Sequence, residues 1–110
     1  MTTIEKELFN LLLDSEFAGK DELKEQLENC QVESIDENGS LKIYVKNNKR
    51  ANVKRRIPIE AEGEDSDGIT IHVLLHVVNG FADELEIYKD DSSKVIQTPN
   101  ASGLRLICLD

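Results

Sequence analysis

Apolar residues recur every three or four positions up to Cys30 and every second position after it, which divides the chain into a helical start and a sheet-forming remainder. Thr2 and Glu5 have capping-box spacing, and Ile4, Leu8, Leu11 and Leu12 then share one face of a first helix. Ser15 to Gly19 interrupts it. Asp21 and Glu22 follow in the first turn of a second helix, in which Leu23, Leu27 and Cys30 are spaced i, i+4, i+7. Two short helices with a tight connection predict a helical hairpin.

Beyond Cys30, Val32 and Ile35 precede Asp36-Glu37-Asn38-Gly39, where Asn-Gly suits the centre of a two-residue hairpin because both positions need positive φ. Leu41, Ile43 and Val45 alternate with Lys42, Tyr44 and Lys46, as in a half-buried antiparallel strand. After the loop 47–52, Val53, Arg55, Ile57, Ile59 and Ala61 share a face of a third strand. Pro58, lacking a donor, sets that strand at an edge or turns its missing N–H outward. The acidic turn 63–68 leads into Ile69–Val78, the longest apolar run and the expected central strand, with Ile69, Ile71, Val73, Leu75 and Val77 on its apolar face. Asn79-Gly80 breaks or bulges it. Leu85 to Tyr88 begins the next strand, Lys94 to Gln97 is a short one, and Leu104 to Leu109 is a last strand or a packed tail. Helices first and strands afterwards predict an α+β domain over 1–110: an N-terminal helical hairpin on one face of an antiparallel, meander-like sheet of about five or six strands.

Composition supports a folded chain, since 39% apolar against 32% charged residues lies well away from the balance of disordered sequences. The 110 residues suffice for one modest core. No apolar run approaches the length of a membrane span, and no basic region precedes Leu11-Leu12-Leu13, so the chain reads as soluble, unexported and cytoplasmic. Cys30 and Cys108 form no CxxC pair and read as reduced, buried thiols.

Charge changes the picture more. The net charge is −9, yet between Asn38 and Ile59 stand Lys42, Lys46, Lys49, Arg50, Lys54, Arg55 and Arg56 with no acid among them. Such segregation directs solubility, steering and partner choice rather than fold.

The stretch Asn79-Gly80-Phe81-Ala82-Asp83-Glu84-Leu85-Glu86-Ile87-Tyr88, followed by Asp90-Asp91-Ser92-Ser93, resembles a motif of a family of small uncharacterised bacterial proteins. The resemblance covers about residues 69–96. It implies a bacterial source and a compact domain of unknown function, and supplies no activity, cofactor or catalytic residue.

Candidate chemistry is sparse. His72 and His76 would converge on a helix, but on a strand at about 3.3 Å per residue they stand roughly 13 Å apart. One ion cannot bridge them, so a metal role would need ligands from elsewhere. Glu60, Glu62, Glu64, Asp65 and Asp67 surround a glycine-bounded turn without the spacing or flanking helices of an EF-hand. Nothing matches a nucleophile elbow or a phosphate-cradling loop, so no catalytic residue, metal or cofactor is expected. Lys42, Tyr44 and Lys46, with Lys49, Arg50, Lys54 and Arg56, are the candidate partner-binding residues. They suit a protein contact, a pairing with acids of this chain or of a second copy in a homodimer, or nucleic-acid phosphates with Tyr44 as a stacking platform. The net charge repels a polyanion at long range. The expected function is therefore a non-catalytic protein-binding module of immunity or inhibitor type for a basic partner. The alternatives are a small-ligand protein or enzyme with a pocket between helices and sheet, or nucleic-acid binding through the basic segment.

Overall fold

The Thr2 hydroxyl accepts the Glu5 N–H at 3.1 Å and the Glu5 carboxylate accepts the Thr2 N–H at 2.8 Å, so the expected capping box starts helix α1, Thr3–Leu12. This geometry comes from a computed structural model that describes residues 1–108; Leu109 and the Cys108 side chain, both included in the sequence reading, lie outside what it describes. Leu8, Phe9 and Leu12 are the buried residues of α1, whereas Ile4 is 45% exposed, so the buried stripe starts a turn later than the sequence suggested. Gly19, at φ +88°, is the N-cap of α2, Lys20–Glu28. A Cβ there would stand 2.8 Å from Val53 Cγ1, so the tight connection needs glycine twice over. Cys30 falls outside α2 and begins the first strand.

The strands are β1 (Cys30–Ser34), β2 (Leu41–Val45), β3 (Ile59–Glu64), β4 (Thr70–Val78), β5 (Phe81–Lys89) and β6 (Arg105–Cys108). All neighbours pair antiparallel, in the order β1-β2-β5-β4-β3-β6. The fold is thus α+β, but its order is not a simple meander. β5 inserts between β2 and β4, and the chain leaving β2 must cross to β3 on the far side. It does so through 46–58, whose Ala51 N–H donates to Gly80 O and whose Arg56 C=O accepts from Val77 N–H, both at 2.7 Å.

Three local expectations change. Asn-Gly does build a two-residue turn, but at Asn79 (φ 53°) and Gly80 (φ 85°), between the paired Val78 and Phe81; at 38–39 only Gly39 has positive φ. Residues 53–58 are not strand, because they serve the crossover. Pro58 stands just before β3, where its missing N–H costs the ladder nothing, and β3 is flanked by β4 and β6 rather than lying at an edge. Residues 94–97 are not strand either, since Asn38 and Asp65 side chains take the N–H groups of Val95, Ile96 and Gln97. The bulge lies inside β5: His76 pairs with Glu84 and Val77 with Ala82, leaving Asp83 as the extra residue.

The inward face of the sheet supplies Leu41, Ile43, Ile59, Ala61, Ile71, Val73, Leu75, Val77, Leu85 and Ile87 to one core cluster, which Leu8, Phe9, Leu12, Leu23 and Leu27 of both helices join. Alternation then leaves the other residues of each strand on the opposite face. Among the described residues no helix is long and apolar enough to cross a membrane.

Candidate binding face

The outward positions of β4 include His72, Leu74 and His76. β3 sets Glu60 opposite Leu74 and Glu62 opposite His72; on the other side β5 brings Glu84, Glu86 and Tyr88 opposite His76, Leu74 and His72. Leu74, 7% exposed, is an apolar residue set among the acids and histidines of this face and lies outside the main core cluster. β2 extends this face with Lys42, opposite Glu84, and with Tyr44, which is 48% exposed.

Each histidine is held by its neighbours. His72 has Glu60 Oε2 2.6 Å from Nδ1 and Asp90 Oδ1 2.5 Å from Nε2, and its ring stacks on Tyr88 at 4.9 Å. Burial opposes its charged form, but the two carboxylates outweigh that and raise its pKa. Burial, and after it the charges of Glu60, Glu86 and Asp90, push the Tyr88 hydroxyl up. His76 accepts the Arg56 Nε–H at Nδ1 (3.3 Å), so its proton sits on Nε2, which donates to Glu86 at 2.8 Å. In each case acids two residues apart on an adjacent strand meet one imidazole. Glu60, Glu62 and His72 bring one ligand atom each to within 4.8 Å of one another, and so do His76, Glu84 and Glu86.

The basic block is largely engaged within the chain. Lys42 Nζ meets Asp83 Oδ1 at 2.5 Å, a hydrogen bond that raises the lysine's pKa and ties β2 to the bulge of β5. Lys49 lies 3.4 Å from Glu25, Arg50 stacks over the Phe81 ring at 5.9 Å, and Arg56 reaches His76. Among the described residues Lys46, Lys54 and Arg55 are exposed and make no ion pair. The block therefore splits between β2 and the crossover loop and does not form two neighbouring strands of cations, because the predicted third strand is absent.

Sequence reasoning did not connect Glu60, Glu62 and Asp90 to His72. The usable signal was alternation, since glutamates two apart on a strand must share a face. It also missed Lys89, which is buried on the inward face between Asp65 (3.0 Å) and Asp67 (2.6 Å).

A groove of about 420 Å³ between α1, α2 and the start of β1 is lined by Lys6, Phe9, Leu13, Lys24, Leu27 and Cys30, among others. Burial pushes the Cys30 thiol up, and its S–H donates to Leu27 O at 3.5 Å, so it is a poor nucleophile.

No curated protein and no solved structure matches this chain. A family model does match residues 1–99, a span that takes in both helices and β1 to β5, and the chain therefore belongs to the family described as domain of unknown function DUF6984.

Proposed function

We propose that the chain is a non-catalytic protein-binding module of immunity or inhibitor type, acting in the bacterial cytoplasm, whose open acidic sheet face engages a basic protein partner. The observation that carries this reading is that one face of the sheet presents Glu64, Glu86 and Asp90 with exposures of 55, 39 and 59%, beside the exposed Tyr44 and Tyr88. Acids ringing exposed tyrosines suit electrostatic capture followed by aromatic contact. The internal pairing of Lys42, Lys49, Arg50 and Arg56 argues against those cations as the main contact, and Lys46, Lys54 and Arg55 at the border are free to meet acids on a partner or on a second copy.

Pull-down from native extract with EDTA present tests this, using the full chain at low and then moderate salt. The expected result is a basic protein retained at low salt, released as salt screens charge, and lost from a variant with Glu64→Lys and Glu86→Lys. Capture that survives the charge reversal overturns the acidic-face reading. Capture lost instead in a variant with Lys42, Lys46, Lys54 and Arg56 all changed to Ala makes the basic segment the contact, and competition by nucleic acid then identifies a polyanion.

One observation favours a second reading. In the helical groove Lys6 and Lys24 have no acid partner among the described residues and stand beside apolar Phe9, Leu13 and Leu27, with Glu28 at the rim. That chemistry suits a small organic anion with an apolar body. Thermal stabilisation by octanoate, lost in Lys6→Ala and Lys24→Ala, supports it; no shift in wild type overturns it.

A further inference from the structure

We infer that Glu60, Glu62 and His72 form a binding site for a divalent transition-metal ion, with Asp90 orienting the imidazole. A neutral imidazole has one N–H, yet His72 has a carboxylate oxygen within 2.6 Å of each nitrogen. Donation of Nε2–H to Asp90 fixes the tautomer and turns the Nδ1 lone pair toward Glu60, as the outer carboxylate does for metal-bound histidines. Glu62 faces His72 directly across the β3–β4 ladder, and Glu60 is two residues away on the same face. Their ligand atoms already lie within 4.8 Å of one another. The ring and both acids are mostly covered, with side-chain exposures of 15, 16 and 23%, which limits what ordering the site costs on binding.

One nitrogen and two carboxylate oxygens suit zinc and its first-row neighbours better than calcium or magnesium, and leave the fourth position of a tetrahedral ion open. The ion occupies the Nδ1 lone pair, and a ring protonated on both nitrogens first gives its Nδ1 proton to solvent. Arg105, 3.1 Å from Glu62 and 57% exposed, is the cation it displaces. The companion cluster of His76, Glu84 and Glu86 is less suited. Arg56 occupies the His76 Nδ1 lone pair, so Nε2 holds a proton and has no lone pair for the ion, and Lys42 faces Glu84 across the β2–β5 pair.

The test is calorimetric titration of the full, EDTA-treated and desalted chain with zinc chloride. One ion per chain is expected to bind. His72→Gln and Glu62→Gln each abolish the tight phase, Asp90→Asn weakens it about tenfold or more, and Arg105→Ala leaves it equal or stronger. His76→Gln retains it. Circular dichroism confirms that each variant is folded, and the His72 ring-nitrogen shift in wild type reports coordination at Nδ1 without any substitution. Zinc binding that is unchanged in folded His72→Gln, or absent from wild type, overturns the site.

Discussion

Gln26 accepts a hydrogen bond from the backbone N–H of Ala82 at 2.9 Å, so a helix side chain serves the edge of β5 where β2 no longer pairs with it. Its Nε2 donates to Gly80 O at 2.9 Å and to Lys49 O at 2.7 Å, and the residue is 0% exposed. One amide thus joins α2, the β4–β5 turn and the crossover loop. Gln26→Leu keeps volume, leaves the buried Ala82 N–H without its acceptor and takes the Gln26 donor from Lys49 O. The expected loss is about 2–4 kcal/mol in equilibrium urea unfolding. Unchanged stability would mean that the backbone relaxes to new partners.

Ser40 repeats the device at the other end of β5. Its hydroxyl accepts the Ile87 N–H at 2.9 Å and donates to Ile87 O at 3.3 Å, with 1% exposure, just beyond the two residue pairs that join β2 to β5. Ser40→Ala is expected to cost about 1–3 kcal/mol and to speed exchange of the Ile87 amide specifically. The exposed Ser34, whose hydroxyl reaches Asp36 O at 3.4 Å, is the control, and Ser34→Ala should be near neutral. Equal effects at the two serines would remove the argument that burial makes Ser40 matter.

Gly80 and Gly68 separate backbone strain from crowding. Both have positive φ, +85° and +82°. A Cβ on Gly68 meets nothing within 4 Å, whereas one on Gly80 would lie 2.9 Å from Arg50 Cβ and 3.0 Å from Ala51 O. Gly68→Ala should therefore cost only the left-handed penalty, about 1–2 kcal/mol. Gly80→Ala should cost that and more, because Ala51 donates to Gly80 O and cannot retreat without breaking the bond. A smaller loss for Gly80→Ala than for Gly68→Ala in thermal unfolding would contradict the close approach of the crossover loop.

What was legible follows from what is local. Capping at Thr2, the change of period near Cys30, the central strand through His72 and His76, and the acidic turn before it depend on neighbours in sequence, and all appear. The strand order was not legible, because inserting β5 beside β2 depends on contacts 41 to 57 residues apart, such as Lys42–Asp83 and Asn38–Val95. Alternation also could not separate residues 53–57 from a real strand, since it records spacing and not pairing: Val53 lies beside Gly19 of the helix connection, and Arg56 C=O takes the Val77 N–H outside any ladder. Gln26 carried a readable signal: it is a polar residue in the Leu23, Leu27 stripe, three positions after Leu23, and therefore on the buried side of α2. The face around His72 was half legible, with both histidines correctly on a strand, while the pairing of β3 and β5 that brings acids to them was not.

Asp65 gives the fold its dependence on acid. Burial opposes its charge, yet the N–H groups of Ile96, Ser66 and Gln97 and the Lys89 ammonium outweigh it and hold its carboxyl well below the usual carboxylate range. A depressed folded pKa contributes stability above the unfolded value, near 3.9, that is lost as pH falls through the folded one. Lys89 has the opposite sign. Its bonds to Asp67 and Asp65 outweigh burial and raise its pKa, so its contribution holds below about 10.4 and fades above that. The Asp65–Lys89 pair is therefore fully effective from about pH 5 to 10. Asp65→Asn keeps the shape but leaves the buried ammonium with Asp67 alone and turns an amide NH2 toward N–H donors, and at pH 7 should lower the melting temperature by about 10 °C or more. Below about pH 3.5 the gap to wild type should narrow, because the unfolded wild-type chain then takes up a proton on Asp65 that the folded chain does not. Melting curves across pH decide the matter: a gap that stays constant from pH 7 down to pH 2 would show that Asp65 acts through shape alone, and that its charge does not fasten the 96–97 segment to the sheet.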